Sequence, residues 1–198
     1  MVKESITKNF FDNYINSHQI VIQELKKEIK LFEKISKEIA SCLKSDGTVF
    51  WCGNGGSMGD ASHLAAELVG KYEITRHPLR SIALGSDNAI LSCIANDFGY
   101  EKIFSRELKG IGKKDDYLII LSTSGNSKNI IDVINIANEI GIKTFAMLGK
   151  GGGKAKHLSK SHYIIPEFKT SIIQEVQITI GHIICEFVEY YLNINPLN

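Results

Sequence analysis

The sequence predicts an α/β fold: a five-stranded parallel sheet flanked by helices on both faces. Three observations predict it. Five short apolar runs lie between Thr48 and Ile165, and segments with helical apolar spacing separate them. That alternation is the mark of a doubly wound parallel sheet. Two of the runs end abruptly in glycine- or hydroxyl-rich turns, the place where such sheets bind ligands. The length of 198 residues suits one domain with a full hydrophobic core. The expected division is an N-terminal helical segment over about 1–44 and an α/β core over about 45–198.

The elements follow in order. From about Ser5 to Leu43 there is no Pro or Gly, and Ile22, Leu25, Ile29, Phe32, Ile35, Ile39 and Leu43 recur at helical spacing. The first part, with Phe10, Phe11, Tyr14 and Ile15, reads as a separate helix that breaks near Asn16-Ser17. Helices this long and amphipathic, placed before an α/β core, suit pairing with another subunit, beside the plainer role of covering the sheet. Thr48–Cys52 reads as a strand, Gly59–Tyr72 as a helix, Ser81–Leu84 as a strand and Asn88–Asn96 as a short helix. Gly99–Gly110 reads as a helix, and Tyr117–Leu121 as the most apolar strand. Lys128–Ile140 is the next helix, ended by Gly141 as a C-terminal cap. Thr144–Leu148 is a strand, and the turn Gly151-Gly152-Gly153 leads to a short helix ending near Leu158. Tyr163–Ile165 is the last strand, halted by Pro166, and a long final helix runs from Ser171, its expected N-cap, to about Leu192.

Composition excludes several function classes. Lys+Arg 23 against Asp+Glu 22 leaves a formal net charge of +1, with no broad electrostatic footprint for nucleic acid. No run approaches ~20 uninterrupted apolar residues, so no membrane span is expected. The start, Met1-Val2-Lys3-Glu4-Ser5, lacks an apolar signal core. Cys42, Cys52, Cys93 and Cys185 are widely spaced in apolar contexts and read as mostly buried, reduced thiols of a cytoplasmic protein. None forms a C-x-x-C pair, which leaves neither a cysteine zinc site nor a dithiol motif.

The chemistry concentrates in two turns. Leu118-Ile119-Ile120-Leu121 stops at Ser122-Thr123-Ser124-Gly125-Asn126-Ser127, just before a helix. Free backbone N–H groups and the positive end of the helix dipole converge there, and the hydroxyls add donors. One hydroxyl would serve as an ordinary helix cap. Ser122, Thr123, Ser124 and Ser127 together exceed that need and favour a phosphate site. The second turn, Cys52-Gly53-Asn54-Gly55-Gly56-Ser57, matches neither the phosphate-loop pattern nor G-x-G-x-x-G, because position 58 is Met. No acidic residue ends the second strand. A nucleotide cofactor is therefore not expected, and a small phosphorylated metabolite is.

Outside the turns the residues leave alternatives open. His63 and Glu67 stand at i, i+4 on one helix face. They could hold a metal, pair a base with a proton carrier, or form a plain surface pair. His182 lies among Ile180, Ile183 and Ile184, a setting typical of a core histidine. Asn96-Asp97 before Phe98-Gly99 fit turn chemistry, with a role in holding sugar hydroxyls left open.

Taken together, the motifs resemble a known family. Cys52-Gly53-Asn54-Gly55-Gly56-Ser57 with Asp60-Ala61, His63, Glu67-Leu68 and Gly70 resembles the sugar isomerase (SIS) domain, and within it the phosphoheptose isomerases. Asn96-Asp97-Phe98-Gly99, Phe104-Ser105-Arg106, Ser122 to Ser127, Gly149-Lys150 with Gly152-Gly153, and Ile173-Gln174-Glu175 with His182 extend the resemblance to essentially the whole chain. It implies a cytoplasmic homotetramer of flavodoxin-like subunits, with sites between subunits and the N-terminal helices used in assembly. It implies interconversion of sedoheptulose 7-phosphate and D-glycero-D-manno-heptose 7-phosphate, the entry to the heptose of lipopolysaccharide core or capsule. It assigns Glu67 as base and His182 as acid in an enediol proton transfer. It assigns one zinc per subunit to His63, Glu67, Gln174 and His182. Substrate contacts carry over to Asn54, Gly55, Gly56, Glu67, Asn96, Asp97, Ser122, Thr123, Ser124, Ser127 and Gln174.

Gln174 and His182 are eight residues apart, ~12 Å along a regular helix. Both meeting one ion requires extended side chains or ligands from two chains. Lys71 stands where the family usually has Arg, which alters any bidentate contact there. Ser171 replaces an acidic or small polar residue. The alternatives within the fold are a non-catalytic SIS protein that binds a replication initiator, or a phosphosugar sensor. Relatives of the first kind lack the Glu and the final-helix His, both present here.

Overall fold

A computed structural model describes residues 2–193. The chain opens with α1 (Val2–Glu24), a 3-10 turn over Leu25–Glu28 and α2 (Ile29–Lys44). The core then alternates: β1 (Val49–Gly53), α3 (Gly56–Val69), β2 (Ser81–Ala83), α4 (Asn88–Phe98), a 3-10 turn over Tyr100–Lys102 and α5 (Ile103–Ile111). It continues through β3 (Tyr117–Ser122), α6 (Lys128–Ile140), β4 (Lys143–Leu148), α7 (Ala155–Leu158), β5 (Ser161–Ile164) and α8 (Thr170–Tyr191).

The five strands form one parallel sheet in the order β2-β1-β3-β4-β5. Alternation along each strand sends side chains to two faces. Val49, Trp51, Tyr117, Ile119, Leu121, Phe145 and Met147 face α2, α3 and α8. Phe50, Cys52, Leu118, Ile120, Ala146 and Leu148 face α4, α5 and α6. Both faces are covered, so β1 and β3 are buried along their whole length. This is the expected α/β fold, with a flavodoxin-like strand order.

The order reverses between β1 and β3, and Gly53 at the end of β1 pairs with Leu121 near the end of β3. The two turns read from the sequence therefore emerge side by side at the switch point of the sheet, where open α/β folds bind ligands. Gly55 makes the first turn possible with φ 59 and ψ −123, a conformation that side-chain-bearing residues rarely adopt.

Several expected boundaries shift. No break occurs at Asn16-Ser17; α1 runs through to Glu24 and the irregular turn comes at Leu25–Glu28, where Leu25 is buried. α3 starts at Gly56 rather than Gly59, because Gly55 already turns the chain into the helix. Gly99–Gly110 divides into a 3-10 turn and α5. Ser171 is not the N-cap of α8: Lys169 is, and Ser171 lies inside the first turn. Gly141 does cap α6, in the left-handed conformation at φ 87. α8 is long and apolar enough to cross a membrane by composition, but half of its most apolar window is buried inside this fold.

Candidate active site

The hydroxyl loop after β3 and the glycine turn after β1 enclose a cavity of about 50 Å3 lined by Asn54, Ser57, Ser122, Thr123, Ser124 and Ser127, with Gln174 closing it from α8. Its loop is braced from inside. Ser122 Oγ accepts from the Gly125 N–H at 3.0 Å and Ser124 Oγ from the Asn126 N–H at 3.2 Å. Each hydroxyl keeps its own proton to donate outward. Ser127 occupies the N-cap position of α6, yet its side chain makes no capping bond. The plain capping role is instead filled by Asn129, whose Oδ1 accepts from the Ile130 N–H at 2.9 Å.

Asn129 has a second task that the sequence did not disclose. Its Nδ2 donates to Asn54 Oδ1 at 2.7 Å, and Asn54 Nδ2 donates back to Asn129 Oδ1 at 2.9 Å. This reciprocal amide pair, with Asn129 only 1% exposed, clasps the two turns together. The Tyr100 hydroxyl donates to Asn54 Oδ1 at 3.2 Å from above. On the other side, Gln174 Nε2 donates to Ser57 Oγ at 3.3 Å, and Ser57 donates to the fully buried Gln177 Oε1 at 3.3 Å. Gln177 is anchored in turn, donating to Met147 O at 2.8 Å. Gln174 closes directly over Gly56, where a Cβ would stand 2.8 Å from its Nε2 and push the amide aside.

Further along α3 a second cluster forms. His63 Nε2 lies 2.9 Å from Glu67 Oε1, as the i, i+4 spacing predicts. His182, on α8, joins them with Nε2 3.5 Å from His63 Nε2. One donor atom from each of the three lies within 4.8 Å of the others. His182 is therefore not the fully buried core histidine its apolar neighbours suggest: it is half-buried and faces His63 and Glu67 on α3. Tyr72 stacks on the His182 ring, with centroids 5.7 Å apart and planes at 28°. Burial pushes the Tyr72 phenol up to about 12, helped by Glu186 and other nearby acidic groups. Burial also raises the carboxyl of Asp60, while His63 and His182 pull it back. Asp60 and Tyr72 were missed as site residues. The Asp60-His63-Glu67 spacing of i, i+3, i+7 on one helix face was the signal for the first; nothing local marked the second.

The four residues expected around zinc divide. His63, Glu67 and His182 converge, and their two nitrogens and one oxygen are a donor set that suits zinc. The Gln174 amide is engaged with Ser57 and lies over Gly56. Asn96 and Asp97 sit exposed at the end of α4, where Asn96 Nδ2 donates to Asp97 Oδ1 at 2.7 Å. They line neither the hydroxyl cavity nor the histidine cluster.

Comparison with known proteins agrees with this geometry. The family model for the SIS domain matches residues 11–149. A phosphoheptose isomerase of Akkermansia muciniphila is 43% identical over 157 residues, 79% of this chain and 83% of that protein. A phosphoheptose isomerase of Helicobacter pylori (strain P12) is 39% identical over 193 residues, 96% of each chain. The solved structure of a phosphoheptose isomerase from Francisella tularensis superposes with a TM-score of 0.88 at 28% identity, covering 92% of this chain and 97% of that one. A phosphate-sized cavity at the sheet's switch point, a carboxylate and two imidazoles beside it on α3 and α8, and relatives matched over most of their length place this chain in the SIS domain family, as a sugar-phosphate isomerase of the phosphoheptose isomerase group.

Proposed function

We propose that the chain converts D-sedoheptulose 7-phosphate to D-glycero-D-manno-heptose 7-phosphate, with Glu67 as base and His182 as acid. The observation that carries this reading is the convergence of Glu67 and His182 from two different helices, within 4.8 Å of each other and of His63. A ketose becomes an aldose when a proton leaves C1 and another arrives at C2. Glu67 takes the C1 proton and returns it to C2. His182 gives a proton to O2 as the enediol forms and removes the O1 proton as it collapses to the aldehyde. Proton transfers of this kind contribute ~10²–10⁴-fold each.

The phosphate is assigned to the hydroxyls of Ser122, Thr123, Ser124 and Ser127 together with the N-terminus of α6. Asn54, Gly55, Gly56 and Gln174 are assigned to the sugar next to it, and Asn96 and Asp97 to sugar hydroxyls reached when subunits assemble. Zinc, held by His63, Glu67 and His182 with Gln174 as the family's fourth ligand, would supply positive charge to an oxygen that becomes anionic. Substrate preference for this heptose, assembly as a homotetramer with sites between subunits, supply of lipopolysaccharide or capsule heptose, and a cytoplasmic location complete the reading. The exposed apolar side chains of α1 support the assembly, and the four unpaired, mostly buried cysteines support the location.

The test is direct. Protein is incubated with sedoheptulose 7-phosphate and the aldose is followed by NMR. Glu67→Gln and His182→Ala are each expected to lose at least ~10²-fold in kcat. Absence of turnover in the wild type removes the substrate assignment. Turnover that survives both substitutions removes the two roles.

A further inference from the structure

α3 carries His63 and Glu67, and α8 carries His182, so the spacing of the two helices decides whether their donor atoms meet. Two of the contacts between them bear directly on that spacing. Gly181 offers no side chain toward Leu64; a Cβ there would stand 2.3 Å from Leu64 Cδ1. The other contact is Arg76, in the loop after α3. Its Nε donates to Glu189 Oε1 of α8 at 2.6 Å. Its Nη2 donates to the backbone carbonyl of Glu67 at 2.8 Å, and its Nη1 to the carbonyls of Leu68 at 2.8 Å and His77 at 3.2 Å.

The Glu67 and Leu68 carbonyls belong to the last turn of α3, where helices lack internal donors. Glu189 is seven residues beyond His182 and so lies on the same face of α8, two turns on. The pair is buried, with Arg76 4% and Glu189 1% exposed at their side chains. It is also imperfect. Glu189 Oε2 has no hydrogen-bond partner among the described residues. A buried ion pair is a weak source of net stability, and an unpaired buried oxygen weakens it further. What the pair does supply is a rigid link between one helix end and the other helix.

We propose that Arg76, held by Glu189, is a positioning residue that fixes Glu67 and His63 relative to His182 without touching substrate. The inference rests on reading those three residues as the reactive centre. The guanidinium is needed because its planar fork meets four acceptors on different segments at once. A lysine ammonium is a single point donor and cannot.

Wild type and variants are compared in kcat and KM for sedoheptulose 7-phosphate, and in the imidazole ¹⁵N–¹H resonances of His63 and His182. Arg76→Lys keeps the charge and removes the fork. Arg76→Met combined with Glu189→Leu replaces the pair by apolar groups, a swap that buried ion pairs often tolerate. Both are expected to lose at least tenfold in kcat with KM within twofold, because the hydroxyl loop is untouched, and to displace both histidine resonances. Glu189→Gln, whose amide oxygen still accepts from Nε, is expected to keep kcat within threefold. The proposal is overturned if either of the first two variants folds with wild-type kcat and unmoved resonances. It is also overturned if kcat and KM deteriorate together, or if Glu189→Gln is as impaired as Arg76→Lys. A wild type without turnover defeats the proposed reaction instead, and the resonances then decide the strut: displaced in Arg76→Lys supports it, unmoved overturns it.

Discussion

Glu107 keeps a carboxylate where the fold shields it from water. Its Oε2 accepts from the Gly85 N–H at 2.8 Å. Burial raises its carboxyl above the ordinary range; the Gly85 bond lowers it in part, and Asp87 raises it again. A folded-state value above the unfolded one means that the native chain holds this proton more tightly. The associated stability is complete below the unfolded value near 4.5 and is lost as pH rises through the folded value. Glu107→Gln keeps an oxygen for Gly85 and removes the charge. Its thermal midpoint is therefore expected to exceed that of the wild type at pH 7, with the gap closing as pH falls toward 4.5. Scanning calorimetry across that range checks it; a gap independent of pH contradicts the argument. The same scale marks the reach of sequence reading. Hydroxyl number pointed to Ser122, Thr123, Ser124 and Ser127, and the structure gathers all four around one cavity. Asn129, Tyr72 and Arg76 matter through distant partners, and residue type states nothing about those.

At the scale of elements, the alternation of strands and helices was legible because the central strands β1 and β3 are buried on both faces and read as near-continuous apolar runs, whereas the edge strands β2 and β5 are short and partly polar. The ends were less so. The helix was expected to start at Gly59, yet Gly59 lies inside α3 and Gly56 opens it. The irregular turn between α1 and α2 falls at Leu25–Glu28, and not at the weaker helix formers Asn16-Ser17, where α1 is already held to α8 by Tyr14 and His18, both on Glu175. Gly181 is the instructive case. By helix propensity alone, Gly181→Ala in mid-α8 gains ~1 kcal/mol. Its new methyl, however, would stand 2.3 Å from Leu64 Cδ1 and 2.5 Å from Leu64 Cδ2, with Leu64 fully buried. Overpacking of that kind costs ~1–3 kcal/mol. The steric cost outweighs the propensity gain, so Gly181→Ala is expected to lower the urea midpoint with an unchanged slope. Because the same contact spaces α3 from α8, the variant is also expected to lose kcat. A more stable Gly181→Ala would mean that propensity dominates and that the helices have room to spare.

For the whole molecule, the question is what covers the apolar surface that one chain leaves in water. Ile6, Phe10, Phe11 and Ile15 of α1 are 49%, 73%, 65% and 39% exposed. Nearby, Ile22, Leu25, Ile29, Phe32, Ile183 and Phe187 line a groove of about 490 Å3 between the N-terminal helices and α8. Single exposed apolar residues are ordinary, but apolar residues grouped on one helix beside an apolar groove are the kind of surface that the proposed assembly would use. The proposed homotetramer buries it against other copies of the chain. Phe10 and Phe11 allow a clean test, because within one chain they are mostly in solvent and contribute little to its core. Phe10→Glu with Phe11→Glu keeps helix-forming residues and places two charges where a partner helix would pack. In sedimentation velocity, the wild type is expected at four times the mass of a single chain, and the double variant at one or two times. Helix content by circular dichroism is expected to stay unchanged. Turnover is expected to fall at least tenfold in the smaller species if, as proposed, the sites lie between subunits and need the neighbour. A double variant that stays tetrameric would move the interface elsewhere, and a fully active monomer would return the whole reaction to residues of a single chain.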